Sequence, residues 1–98
     1  KLSHCKNIYW VFGIVIKKNN KNNIKEVIKK LSSRNVGTRP FFWPMHKQDA
    51  FKSKGYFKNV NLPNSEFISK NGFYLPSGLG LTLKELKFVK DTVISVLK

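Results

Sequence analysis

The sequence predicts a small two-layer α/β sandwich, with elements in the order β-α-β-loop-α-β-α. Three observations point to it. The run "IYWVFGIVI" from Ile8 to Ile16 is unbroken, apolar and rich in aromatic and β-branched residues, which suits a strand. Two later segments carry apolar residues at helical spacing behind capping residues. Proline and glycine punctuate what lies between them. At 98 residues the chain fits one domain, taken as 1–98.

The first strand, Ile8 to Ile16, is apolar at every position and is expected to be covered on both faces. "KKNNKNN" then reads as a polar turn. Asn23 with Glu26 three residues on resembles a capping box, and Ile24, Val27, Ile28 and Leu31 form the stripe of an amphipathic helix. Asn35 and Gly37 close it. "VGTRPFFW" reads as a second strand, in which Pro40 demands an edge position or a bulge. Met45 to Asn61 is irregular and basic, with Gly55 as a breaker. "LPNSEFISKNG" is a short helix, with Pro63 in its first turn and Asn71-Gly72 at its end. "FYLPSG" is a short strand leading into a turn. In "TLKELKFVKDTVISVLK", Thr82 and Glu85 form a second capping box, and Leu86, Val89, Val93 and Leu97 share one face.

Composition narrows the function. The single cysteine, Cys5, excludes an internal disulfide framework and an all-cysteine zinc site, and fits a reducing, cytoplasmic setting. The opening "KLSHCKNIYWVFGIVIKK" mimics a signal peptide, yet lysines and asparagines follow where small residues should form a cleavage site. The apolar run is also about half of the ~20 residues needed to span a bilayer, so no membrane partner is expected. The net charge of +14 invites a nucleic-acid reading. Only Arg34 and Arg39 are arginines, however, and the lysines are scattered, so the charge is a diffuse coat and nucleic acid is not the expected partner. "KGYFKNV" imitates an RNA-recognition signature, but Phe57 stands where Gly or Ala belongs and Lys58 replaces a stacking aromatic.

"TRPFFWPMHKQ", Thr38 to Gln48, holds the candidate site residues. Arg39 offers a planar fork for carboxylate or phosphate, and Pro40 holds it extended; a surface salt bridge is the plain alternative. Phe41, Phe42 and Trp43 supply either core or, on one face, a stacking surface for a ring. On a strand, Phe42 would share a face with Pro40 and Pro44, and Trp43 with Phe41 and Met45. His46 lacks the partners of a nucleophilic triad. With only His4 and Cys5 as other candidate ligands it does not make a metal site. It reads best as a hydrogen-bonding group for a substrate. "GFYLPSGLGLT" has no phosphate-loop lysine, and Gly78 and Gly80 read as turn residues.

Two signatures in this order, R-P-x-F-x-P-x-H-x-Q and G-x-Y-L-P-S-G, stand between a "YWVFGIVI" strand with an "IKEVIKKL" helix and a final T-x-x-E helix. Together they resemble the C-terminal region of sugar-nucleotide aminotransferases of the DegT/StrS type, nearest to perosamine synthase-like enzymes of polysaccharide and O-antigen biosynthesis. The resemblance implies the small C-terminal domain of an aspartate-aminotransferase-type (fold type I) enzyme. Such enzymes use pyridoxal phosphate to move an amino group, usually from glutamate, to a nucleotide-linked keto-sugar. They act as homodimers with active sites at the subunit interface. It further implies that the lysine carrying the cofactor, and the acid at its ring nitrogen, belong to a large domain of the same polypeptide. These 98 residues would then hold no catalytic residue, bind no cofactor alone and be inactive alone. Arg39, Trp43 and His46 would face the nucleotide-sugar substrate. A small basic module for RNA or another polyanion is the rival reading.

Overall fold

The computed structural model describes residues 3–17 and 23–98. The elements are β1 (Phe12–Val15), α1 (Ile24–Ser32), β2 (Arg39–Pro40), α2 (Asp49–Lys52), α3 (Pro63–Asn71), β3 (Gly72–Leu75) and α4 (Leu83–Leu97), with a 3-10 turn at Met45–Lys47 before α2. The expected order is present. The region read as irregular also holds the 3-10 turn and the single-turn α2. Most of the "KKNNKNN" turn lies outside the described residues.

The sheet has three strands in the order β1-β3-β2, and both pairings are antiparallel. β1 and β2 therefore run the same way with β3 inserted between them, which makes β1-α1-β2 a split β-α-β unit. The register sets Phe12 opposite Leu75, Gly13 opposite Tyr74 and Ile14 opposite Phe73. Side chains alternate along a strand, so Ile14, Phe73 and Leu75 share one face, while Gly13, Gly72 and Tyr74 share the other.

The helices cover the first face. Val27 and Leu31 of α1, Val93 and Val96 of α4, Val36 after α1 and Phe73 at the sheet centre form the buried core with Ile16. Asn23 caps α1 by accepting from the Lys25 N–H at 3.0 Å. No bond between Asn23 and Glu26 in either direction is formed among the described residues, so Asn23 is a simple N-cap rather than half of the expected box. Asn35 adopts φ 60° and lets the Val36 N–H reach back to the Leu31 carbonyl at 3.0 Å, the left-handed close of a helix. It also turns Val36 into the core. The capping box of α4 is complete, with Thr82 N–H to Glu85 Oε2 at 2.8 Å and Glu85 N–H to Thr82 Oγ1 at 3.3 Å.

The first strand differs from expectation. It begins only at Phe12, and Ile8, Tyr9 and Trp10 are 81%, 65% and 70% exposed. Tyr9 sits at φ 51°, and its N–H bonds to the Asn7 side chain at 2.8 Å, a local turn that competes with extension. The strand is also an edge, and along it only Ile14 is half-buried. Beside it, Phe12, Ile14, Leu75, Leu86 and Val89 line an apolar groove of about 540 Å³ between the sheet and α4. Leu86, placed by its spacing on the buried face of α4, is 43% exposed on this groove.

The second strand is shorter than "VGTRPFFW" implies, with ladder pairs only at Arg39 and Pro40. Its edge position agrees with Pro40, which has no N–H to give. The chain then turns over the second sheet face, where Phe41 lies against two glycines. A Cβ on Gly13 would stand 2.9 Å from Phe41 Cε2, and one on Gly72 would stand 3.0 Å from Phe41 Cδ2 and 2.6 Å from the Ile68 carbonyl oxygen. Gly72→Ala is therefore expected to lower stability by about 1–3 kcal/mol, because backbone cannot yield. Gly13→Ala should cost less, since only a ring edge must shift. Chemical denaturation of both variants measures the difference.

Candidate functional site

The site is built by the chain that leaves β2. The Phe41 N–H bonds to the Gly72 carbonyl at 3.0 Å, which anchors the start of the aromatic run to β3. Strand alternation stops there, and the three aromatic side chains take different places. Phe41 packs on Tyr74 with ring centroids 4.8 Å apart. Phe42 meets Tyr74 edge-on at 5.1 Å and stacks on Trp10 at 6.3 Å. Trp43 turns outward, 61% exposed, with no aromatic ring against it among the described residues. Its Nε1–H donates to the Lys47 carbonyl at 3.1 Å.

Pro44, at φ −60° and ψ 142°, opens the 3-10 turn that carries His46. The turn is closed by Lys47 N–H to the Pro44 carbonyl at 2.9 Å and Gln48 N–H to the Met45 carbonyl at 3.2 Å. His46 is the one polar residue buried among the described residues, at 6% exposure. Its Nε2 lies 2.9 Å from Glu66 Oε1 in α3, and Lys47 Nζ approaches the same oxygen at 3.2 Å. The hydrogen bond from His46 holds the Glu66 carboxyl below the usual carboxylate range, with the Lys47 hydrogen bond as the next cause. With Nε2 committed, only Nδ1 of His46 remains for another partner.

Arg39 lies elsewhere. It is exposed on β2, opposite Tyr74, and lines a cavity of about 600 Å³ with Val11, Thr38, Tyr74, Leu75 and Pro76. It forms no ion pair among the described residues. The Thr38 hydroxyl and the Tyr74 phenol are buried without hydrogen-bond partners. The structure thus joins Trp43 and His46 through the turn that contains Lys47, and sets Arg39 apart across the Phe41–Tyr74 aromatic layer.

Glu66, Lys47, Ser69 and Lys70 belong to the Trp43 side of the site and were not singled out from the sequence. Glu66 read only as a helix residue after Pro63. Its signal was scarcity, since the chain has five acidic residues in all and any buried basic group must compete for them. "KGYFKNV" lies in turns rather than on a strand, so Tyr56 and Phe57 do not form a strand-borne stacking surface.

A model of the DegT/DnrJ/EryC1/StrS aminotransferase family matches residues 2–94. The chain belongs to that family. Among solved structures it is similar to Helicobacter pylori PseC, an aminotransferase involved in the biosynthesis of pseudoaminic acid, with a TM-score of 0.77 and 15% identity. The match covers 89% of this chain and 23% of that one, so the chain spans about a quarter of the structure it matches. At that identity the likeness establishes the fold, a domain of an aminotransferase of fold type I.

The family implies pyridoxal phosphate in its full-length enzymes, held by a lysine with a free amine in an enclosed site. The described residues do not offer one. Every described lysine but Lys47 is exposed, and the Lys47 ammonium is engaged by Glu66. No group of three or more metal-binding side chains occurs among the described residues either.

Two carboxylates tie this fold to pH. Glu66 is lowered by its bonds from His46 and Lys47, and Glu85 by the Thr82 backbone N–H and then the Thr82 hydroxyl. A carboxyl lowered in the folded state adds stability that is complete above its unfolded pKa and is lost as pH falls through its folded one. The thermal midpoint should therefore fall on acidification below the ordinary carboxylate range. Glu66→Gln and Glu85→Gln should each lower the neutral-pH midpoint and flatten that fall, as read by thermal melts across pH.

Proposed function

We propose that this chain is the small C-terminal domain of a pyridoxal-phosphate-dependent aminotransferase that moves an amino group from glutamate to a nucleotide-linked keto-sugar. Its nearest functional kin would be perosamine synthase-like enzymes of polysaccharide biosynthesis. The observation that carries this reading is the family match across residues 2–94. The paired signatures around Arg39 to Gln48 and Gly72 to Gly78 support the narrower assignment. In this reading the cofactor supplies the chemistry of amino transfer from a large domain of the same polypeptide, and this domain helps to bind the sugar nucleotide.

The exposed apolar groove between β1 and α4 supports the large-domain partner, since Phe12 and Leu86 on it stay 55% and 43% exposed within this chain. The active protein would be a cytoplasmic homodimer. Arg39 and Trp43 would meet the substrate, Arg39 through its unpaired guanidinium and Trp43 through its exposed ring. His46 would act from beneath, holding the turn beside Trp43 through Glu66 and leaving Nδ1 for the substrate.

Three outcomes test this. The 98-residue chain mixed with pyridoxal phosphate should develop no absorbance of lysine-bound cofactor, and a clear signal would sink the assignment. In the full-length protein, with glutamate and a nucleotide-linked keto-sugar, Arg39→Ala should raise the sugar-nucleotide KM at least about tenfold, the scale of a hydrogen bond to a charged group. His46→Ala should reduce sugar-nucleotide turnover more than cofactor affinity. Equal loss of both in a folded His46→Ala protein would remove His46 from the substrate side.

A further inference from the structure

Residues 49–62 hold a second, smaller hydrophobic cluster, apart from the core. Phe51 packs edge-on against Phe57 with ring centroids 5.7 Å apart, and Tyr56 lies 6.3 Å from Phe51 and 6.4 Å from Phe57. None of the three rings belongs to the core or to the residues packed on it. α2, which carries Phe51, packs chiefly on the 3-10 turn. Tyr56 is 57% exposed and Phe57 42%, and Val60 and Leu62 further along are exposed as well.

The loop has a defined backbone. α2 closes with Gly55 at φ 75°, and the Tyr56 N–H returns to the Phe51 carbonyl at 3.1 Å. Phe57 itself sits at φ 61°, a left-handed conformation that bulky side chains rarely adopt and that collects at functional sites. Positive charge surrounds the rings. Lys52, Lys54 and Lys58 are exposed, and Lys58 Cε lies over Gly55, 3.1 Å from where a Cβ would stand. Within residues 45–62 the one acid is Asp49, which lies 3.9 Å from Lys52. Lys54 and Lys58 form no ion pair among the described residues.

Exposed rings among unmatched ammonium groups complement a surface that is anionic outside and apolar just beneath. A bilayer with acidic headgroups is such a surface. Amphipathic aromatic side chains settle at its headgroup boundary, and each nearby lysine adds attraction. Stacking of RNA bases needs open ring faces, whereas these rings are tilted 55° to 70° against one another and engaged together. We propose that residues 49–62 dock this domain on an anionic membrane surface, with Tyr56 and Phe57 at the headgroup boundary and Lys52, Lys54 and Lys58 against the acidic headgroups. The apolar run at 8–16 gave no reason to expect a membrane partner, and no described helix is long and apolar enough to cross one. Surface contact needs no spanning segment.

The test is co-sedimentation of the intact protein that carries this chain with vesicles of phosphatidylcholine alone and with roughly a third phosphatidylserine, at low and high salt. Circular dichroism checks the fold of each variant. Wild type should bind the anionic vesicles and not the neutral ones, and should bind less as salt rises. Phe57→Asn keeps a residue type that accepts the left-handed backbone. It should weaken vesicle binding about tenfold or more, the scale of one buried aromatic side chain. Lys54→Gln/Lys58→Gln should weaken it about fivefold per lysine. Lys84→Gln/Lys87→Gln removes the same charge from exposed positions of α4 and should leave binding nearly unchanged. Equal losses from the two double variants reduce the effect to the diffuse lysine coat and overturn the proposal. Absence of binding to anionic vesicles overturns it too, as does undiminished binding by a folded Phe57→Asn protein. Single-stranded poly-uridylate is the competing probe. Phe57-dependent binding of that RNA without vesicle binding assigns the loop to nucleic acid and overturns the membrane reading.

Discussion

The approach of Phe41 to the sheet organises the rest of the molecule. Its ring reaches the face formed by Gly13 and Gly72, where any larger residue would collide with it. The Phe41 N–H is tied to the Gly72 carbonyl, so backbone and ring are both held to the sheet. With Phe41 down, Tyr74 is enclosed by Phe41 and Phe42, and the outer face of the small sheet acquires a hydrophobic cover without a helix. This lets the central strand β3 bury both of its sides in a short chain. It also determines where the following residues emerge, with Trp43 outward and His46 inward.

The second organising contact is His46 with Glu66. A buried imidazole must find a partner, and α3 provides one at 2.9 Å. That bond joins the loop after β2 to the helix before β3. Lys47 shares the oxygen from the rim and so carries the link to the surface. A site here is held by one polar contact in a largely apolar scaffold, where its removal would leave the ring unpaired.

Much of the fold was legible because its signals are local. The stripe from Ile24 to Leu31, the Thr82–Glu85 box and the Asn35 stop each report on a few neighbouring residues, and each has the expected form. The failures concern what lies opposite. Nothing in "IYWVFGIVI" says that its strand is an edge, and Asn7 interrupts it through a bond to Tyr9 that apolar periodicity does not register. The length of β2 is set by Phe41 turning onto glycines from two other strands, which is invisible along the chain. The site was legible in part for the same reason. Arg39, Trp43 and His46 lie within one short motif, but the partner of His46 is twenty residues away. The division between the Trp43 side of the site and the Arg39 cavity depends on Tyr74, from a third segment.

α3 ends at Asn71 and β3 begins at Gly72, with no residue between them to absorb a change of angle. The Ile68 carbonyl closes over Gly72, and Asn71 bonds back to the Phe67 carbonyl at 2.9 Å, so the junction is stiff as well as short. α3 is therefore a lever rather than a tethered lid. The backbone at Glu66 and Lys70 is thereby coupled in angle to the central strand, to which both edge strands are bonded. A tilt of α3 would therefore act on the strand at the centre of the sheet.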